Sequence, residues 1–156
     1  MLFEIPGCGK YEIKYIVLDL NGTIAIDGII PLAVQNSIQA LSHNYEVLIV
    51  SRDIHNNVSR LASELGVKHI KISTDLPASD QKADVVNKLG AKHVIAIGNG
   101  NSDIGMLKAA ALSIAVIGPE GASRRCAIEA DVLTANILDA FECIRRPTRL
   151  IATLQQ

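Results

Sequence analysis

YIVLDLNGTIAIDG, residues 15–28, is the stretch on which the fold turns. Its first six residues, 15–20, are apolar except for Asp19, with no alternation of polar and apolar positions. A strand that alternates has one face in water; a continuous run is covered on both faces, as in the middle of a parallel sheet. Asn21-Gly22 ends the run with residues suited to a turn. Working outward, short β-branched runs alternate with segments of helical length. Residues 32–42 put Val34, Ile38 and Leu41 on one helical face, and EVLIV (46–50) returns as a strand. A helix over 56–65 closes on Gly66 as a left-handed cap, and a short strand follows at 69–72. Residues 79–89 read as a helix with Ser79 as N-cap and Gly90 past its end, leading into the strand 93–97. A helix at 102–110, a strand at 112–117, a short helix after Gly121, a strand around Val132 and a helix at 137–145 follow. Before all of these, residues 6–9 make the turn of an N-terminal hairpin or arm. The alternation predicts an α/β fold, a three-layer α/β/α Rossmann-like domain around a parallel sheet.

Composition agrees. The 156 residues suit one domain spanning 1–156, with no repeat or linker. A chain of this size buries roughly 68–70% of its unfolded surface. Apolar residues make up 49%, yet Trp is absent and there are two Phe and three Tyr, so Ile, Val, Leu and Ala must form the core. Fifteen Lys plus Arg against sixteen Asp plus Glu give a net charge of −1 without a basic block, which disfavours nucleic acid. Cys8, Cys126 and Cys143 are widely spaced and form no CxxC pair, so they read as reduced thiols in a reducing compartment. MLFEIPGCGKYEIK (1–14) lacks the pattern of a secretory signal. The longest apolar stretch, 109–117, is interrupted by Ser113 and is far short of the roughly 20 residues of a membrane span. A cytoplasmic protein with no membrane partner is expected.

In an open parallel sheet, ligands bind beyond the carboxyl ends of the strands. Those ends carry Asp19-Leu20-Asn21-Gly22-Thr23, then Ser51-Arg52-Asp53, then Gly98-Asn99-Gly100-Asn101-Ser102-Asp103, and Lys82 falls in the first turn of the helix before the last of these strands. Together they supply a carboxylate nucleophile, a hydroxyl donor, an ammonium and a second carboxylate for a phosphoryl group and Mg²⁺. Each residue alone has a plainer reading. Asp19 can be a turn or cap residue, Lys82 a solvated helix residue, Ser51 a satisfied hydroxyl, and Asn-Gly pairs occur in ordinary turns.

Taken in order, these segments resemble the haloacid dehalogenase superfamily, in a pattern close to the phosphorylation domain of P-type ATPases. YIVLDLNGTIAIDG is similar to its first motif, an Asp nucleophile with a Thr four residues later. VLIVSRD (47–53) resembles the second, SDQKADVV (79–86) the third with Lys82 in the place of its lysine, and VIAIGNGNSDIGMLKAA (94–110) the fourth. ALSIAVIG (111–118) and EADVL (129–133) fit the closing strands of the ATPase domain. The resemblance implies that Asp19 attacks phosphorus to form an aspartyl-phosphate, that Thr23 supports the loop, and that Ser51, Arg52 and Lys82 meet phosphoryl oxygens. It also implies Mg²⁺ held by Asp19, the Asn21 backbone carbonyl, Asn99 and Asp103, with Gly98, Gly100 and Asn101 shaping the loop. The partner would be a small phosphorylated molecule or phosphate.

The chain departs from that pattern at two carboxylates. Phosphatases of the superfamily carry a general-acid Asp two residues after the nucleophile, and this chain has Asn21, whose amide cannot shuttle a proton. Asn99 stands where the fourth motif has Asp, and Ser102 where it has Asn. Slow hydrolysis and weak metal affinity without substrate follow. Between Thr23 and Ser51 lie 27 residues, taken up by a loop and a helix, too few for the nucleotide-binding insert of a pump. The chain is therefore expected to be capless, with residues 24–31 as a small flap and self-association closing the site. The rival expectation, motivated by Asn21 and Asn99, is an idle domain that binds phosphate or a metabolite or serves in regulation or assembly. His43, His55, His69 and His93 are scattered and read as surface or core-edge residues. Arg145, Arg146 and Arg149 read as a solvated basic tail, and the stretch 150–154 as one that packs back on the domain or on a neighbour.

Overall fold

The computed structural model describes residues 1–52 and 57–156. An antiparallel hairpin, β1 (Leu2–Ile5) and β2 (Gly9–Glu12), precedes β3 (Tyr15–Leu18), the apolar run. There follow α1 (Leu32–Ser42), β4 (Glu46–Ser51), α2 (Asn57–Glu64), β5 (Lys68–Lys71), α3 (Ala78–Leu89) and β6 (Val94–Gly98). The chain ends with α4 (Ile104–Ala109), β7 (Leu112–Val116), α5 (Arg124–Glu129), β8 (Val132–Thr134), α6 (Ile137–Arg145) and α7 (Pro147–Leu154). Asp53, His55 and the expected start of a helix at residue 56 lie outside the described residues.

Six strands form one sheet in the order β5-β4-β3-β6-β7-β8, and every pairing in it is parallel. The chain starts in the middle, winds outward to β5, then crosses back over β3 to build the other half. This reversal of winding leaves a crevice at the carboxyl ends of β3, β4 and β6. Side chains alternate between the two faces. Ile16, Leu18, Ile49, Ile95, Ile97 and Ile114 point to the layer that holds α1, α2, α6 and α7, while Val17, Leu48, Val50, Ala96 and Ala115 meet α3, α4 and α5. Since both faces are covered, the run 15–18 carries no polar residue.

Three local findings bear on the site. Residues 24–31 make a tight turn: Ile26 and Ile29 pair across Asp27 (φ 49°) and Gly28 (φ 78°), and Ile24, Ala25 and Ile30 are buried. Ser79 is not an N-cap. The helix begins one residue earlier after Pro77, and the Ser79 hydroxyl accepts a hydrogen bond of 2.9 Å from the Gly105 N–H instead. That bond reflects the close approach of α3 and α4, where a Cβ at Gly105 would collide with the Ser79 backbone oxygen. Residues 147–154 form a helix rather than a solvated tail, because Pro147 suits its first turn and Leu150, 1% exposed, enters the core with Ile151 and Leu154 against it. Arg145 and Arg146 each lie 3.1 Å from Glu142, which accounts for two cations of the basic cluster. Among the described residues no helix is long and apolar enough to cross a membrane.

Candidate active site

Asp19 follows the last residue of β3, and its N–H still donates to the Ile97 carbonyl at 2.9 Å, so its position is set by the sheet. The backbone then turns at once: the N–H groups of Thr23, Ile24 and Ala25 all donate to the Leu20 carbonyl. Gly22 (φ 78°) enables this turn, and a Cβ there would strike the Asn99 amide. The turn brings the Thr23 hydroxyl to 3.0 Å from Asp19 Oδ2 and 3.3 Å from Asn99 Oδ1.

Lys82 reaches the same carboxylate from α3. Its ammonium donates to Asp19 Oδ1 at 2.5 Å and to Asp103 Oδ1 at 2.6 Å. All three groups are withdrawn from solvent: Asp19 is 7% exposed, Lys82 2% and Asp103 0%. The other oxygen of Asp103 accepts the N–H groups of Asn99 (3.0 Å) and Gly100 (2.9 Å), so this carboxylate shapes the loop after β6. Gly98 makes room for it, since a Cβ there would lie 2.5 Å from that of Asp103.

A cleft of about 180 Å³ opens over this cluster, lined by Asp19, Asn21, Ser51, Arg52, Ile72, Ala78, Lys82 and Ser102. Asp19 is the only carboxylate on its wall among the described residues. Asn21 is exposed beside it, Ser51 is 3% exposed at the end of β4, and Arg52 donates to the Leu76 carbonyl at 3.3 Å. Asn99 and Asp103 are not among the residues that line the cleft. The amide nitrogen of Asn99 donates to the Gly121 carbonyl at 3.0 Å while its oxygen faces Thr23. His69, expected at the surface or the core edge, has its Nε2 2.9 Å from Ser51 Oγ. The hint was its place on β5, the edge strand paired with β4; no motif marks it.

The electrostatics follow from two buried carboxylates sharing one ammonium. Burial raises the Asp19 pKa to about 6, with the charge of Asp103 adding to the effect and Lys82 opposing it. Burial works against the charge on Lys82, but Asp19 and Asp103 outweigh it and its pKa is raised. The cluster therefore holds a cationic lysine and an excess negative charge. Burial, then Asp103 and Asp19, push the Cys126 thiol up to about 12, which leaves it an inert core residue.

The excess negative charge fits a cation at Asp19. Among the described residues no group of three or more His, Cys, Asp or Glu converges as a metal cage. One cleft carboxylate beside a backbone carbonyl is compatible with a divalent cation that completes its shell with water and substrate oxygens. Asp19 and the Asn21 carbonyl are the residues that would hold it, with Asp103 behind them.

No protein-family model matches the chain. An uncharacterised protein of Methanocaldococcus jannaschii is 45% identical over 62 residues, which are 40% of this chain and 67% of that one. Among solved structures, 3-deoxy-D-manno-octulosonate 8-phosphate phosphatase from Moraxella catarrhalis, in complex with magnesium, phosphate and KDO, superposes with a TM-score of 0.65 at 25% identity, covering 92% of this chain and 87% of that one. The cobalt-bound deoxy-D-mannose-octulosonate 8-phosphate phosphatase of Haemophilus influenzae gives 0.68 at 18% identity, over 92% and 90%. These neighbours are phosphatases of the haloacid dehalogenase superfamily, and this chain has their fold.

Proposed function

We propose that the chain is a capless, Mg²⁺-dependent phosphohydrolase or phosphoryl-transfer enzyme working through an aspartyl-phosphate on Asp19, with slow turnover. The observation that carries this reading is the cleft itself, whose one carboxylate among the described residues is held by Lys82 and Thr23 and faces Ser51.

Each residue then has a task. Thr23 and Lys82 occupy one oxygen of Asp19 each and fix the carboxylate, leaving the remaining lone pairs for attack on phosphorus. Attack forms the Asp19 Oδ–P bond and breaks the bond from phosphorus to the leaving oxygen. Ser51, Arg52 and Lys82 supply donors for the phosphoryl oxygens. A bound Mg²⁺ would add charge neutralisation of those oxygens. Asn21, where a phosphatase of the superfamily has Asp, cannot protonate the leaving oxygen or activate the water that ends the cycle, so the aspartyl-phosphate persists. The lysine-centred cluster and this amide support the P-type-ATPase-like pattern. The Moraxella catarrhalis structure holds phosphate and KDO, which supports a small phosphorylated molecule as substrate.

Residues 24–31 do not line the cleft, and the exposed Ile29 and Leu32 beside an apolar groove formed by Ile26, Pro31, Val34 and Leu138 support self-association. No disulfide links the three cysteines, which supports a cytoplasmic setting. The decisive test is intact-protein mass spectrometry after incubation with acetyl phosphate and Mg²⁺. A phosphoryl adduct lost in Asp19→Asn is expected; the absence of an adduct would leave a domain that only binds or regulates.

A further inference from the structure

We propose that His69 is a positioning residue which fixes the Ser51 hydroxyl as a hydrogen-bond donor toward an anion in the cleft. The inference rests on the phosphoryl-site reading above and adds to it a residue that no motif contains. Ser51 Oγ, 3% exposed, lies on the cleft wall, and His69 Nε2 stands 2.9 Å from it. On the other side of the ring, Nδ1 lies 2.8 Å from Ser59 Oγ on α2. The imidazole thus bridges two hydroxyls, one facing the cleft and one on the outer helix.

The consequence follows from counting protons. A serine hydroxyl has one proton to give and lone pairs to accept with, and a neutral imidazole has one N–H and one acceptor nitrogen. If the ring proton is on Nδ1, it donates to Ser59, and Ser51 must give its own proton to Nε2. Only lone pairs then face the cleft, and they repel an anion. If the proton is on Nε2, it donates to Ser51, and Ser59 donates to Nδ1. Ser51 is then free to donate to a phosphoryl oxygen. The Ser51 hydroxyl becomes a donor toward the cleft only when Nε2 carries a proton, in this tautomer or in the imidazolium, so anion binding and protonation of Nε2 stabilise each other. A hydrogen bond to a charged acceptor is one of the stronger polar contacts, which makes this orientation matter for affinity.

The strand geometry explains why the contact is available. Ser51 pairs with Lys71 in the parallel register and Ile49 with His69, so Ser51 and His69 sit diagonally on the same face of adjacent strands. That is the face that α2 covers, which is how Ser59 reaches the second nitrogen.

The test is made on the full chain with Mg²⁺ and inorganic phosphate as the probe, measuring binding by calorimetry. His69→Leu, which removes the donor and keeps the bulk, is expected to weaken phosphate binding about tenfold, and His69→Gln, which restores an N–H near Nε2, to recover most of it. In a Ser51→Ala background, His69→Leu should change affinity by less than about twofold, since the group it positions is gone. Ring ¹⁵N shifts of the phosphate-loaded protein should show the proton on Nε2. Equal loss in both backgrounds, no loss in either, or a proton on Nδ1 alone overturns the inference, even while Asp19 forms its adduct. Failure of the unaltered protein both to bind phosphate and to form the adduct overturns the phosphoryl reading and this inference with it.

Discussion

The ammonium of Lys82 lies 2.5 Å from the carboxylate of Asp19, and both groups are buried. A second carboxylate, Asp103, shares the same ammonium at 2.6 Å. The three side chains come from three separate segments of the chain, so this contact ties α3 to the ends of β3 and β6 in addition to forming the candidate site.

Replacing Lys82 by Met tests how much the cluster contributes to the fold. The substitution keeps the apolar stem and leaves two carboxylates buried without their cation. Breaking a buried pair from one side costs about 3–5 kcal/mol, and urea unfolding of Lys82→Met at pH 7.5 should show a loss of that size. Adding Asp19→Asn to it should recover part of the loss, because one of the stranded charges disappears. An additive double variant would mean that the two residues are not coupled as their distance implies.

Asp19→Asn alone should stabilise the metal-free protein while removing the proposed nucleophile. The sign follows from linkage. The folded-state pKa of Asp19 is raised to about 6 from the ordinary 3.8, so the folded protein holds the proton more tightly than the unfolded chain does. The stability this provides is fully present below the unfolded value and is lost as pH rises through the folded one. Asparagine does not titrate, so the variant should match the wild type near pH 4 and exceed it by roughly 1–3 kcal/mol above pH 6. Mg²⁺ should raise the Tm of the wild type and leave that of Asp19→Asn nearly unchanged. Thermal scans at several pH values, with and without Mg²⁺, read both effects; a wild type that gains stability between pH 4 and 6 relative to the variant contradicts the account.

The sheet was legible in the sequence because burial on both faces leaves a strong mark. β3, β4, β6 and β7 are apolar runs apart from Glu46, Ser51 and Ser113, and the positions 32–42 and 137–145 coincide with α1 and α6. Asp19 and Ser51 were legible as polar residues ending such runs at one edge of the sheet, and Lys82 by its place early in the helix that leads to the next strand; the structure places all three on one cleft. What was not legible depended on contacts between distant segments. Ser79 carries the mark of an N-cap, but the approach of Gly105 gives its hydroxyl another partner. His69 acquires its neighbour only through the register of β5 on β4. The packing of 150–154 on the domain follows its apolar residues, as the sequence suggests, whereas the helix that starts at Pro147 is not what the neighbouring arginines indicate.

That docked helix can be tested by Leu150→Ala. Leu150 is 1% exposed, and its loss would leave a cavity between α7 and the remaining core. A buried Leu→Ala change costs about 2–5 kcal/mol, so a clear fall in the urea midpoint is expected. A change of less than about 0.5 kcal/mol, the range of surface substitutions, would show that residues 147–154 behave in solution as the tail their charges suggested.

Asn21→Asp addresses what the cluster lacks. Asn21 is exposed at the cleft mouth, beside a carboxylate already fixed by Lys82 and Thr23, so the substitution adds a titratable group without disturbing the buried charges. General acid–base assistance contributes about 10²–10⁴-fold in rate. The variant should hydrolyse p-nitrophenyl phosphate faster by at least the lower end of that range, and the adduct on Asp19 should decay faster in proportion. Adding Asn99→Asp should change metal affinity more than rate, and less than sequence position suggests, because Asn99 is engaged by Thr23 and Gly121 at its two ends and does not line the cleft. If Asn21→Asp accelerates nothing while the adduct still forms on Asp19, hydrolysis is limited by access of water or by geometry rather than by the missing acid, and the slow turnover must be traced to the loop that carries Gly22 and Thr23.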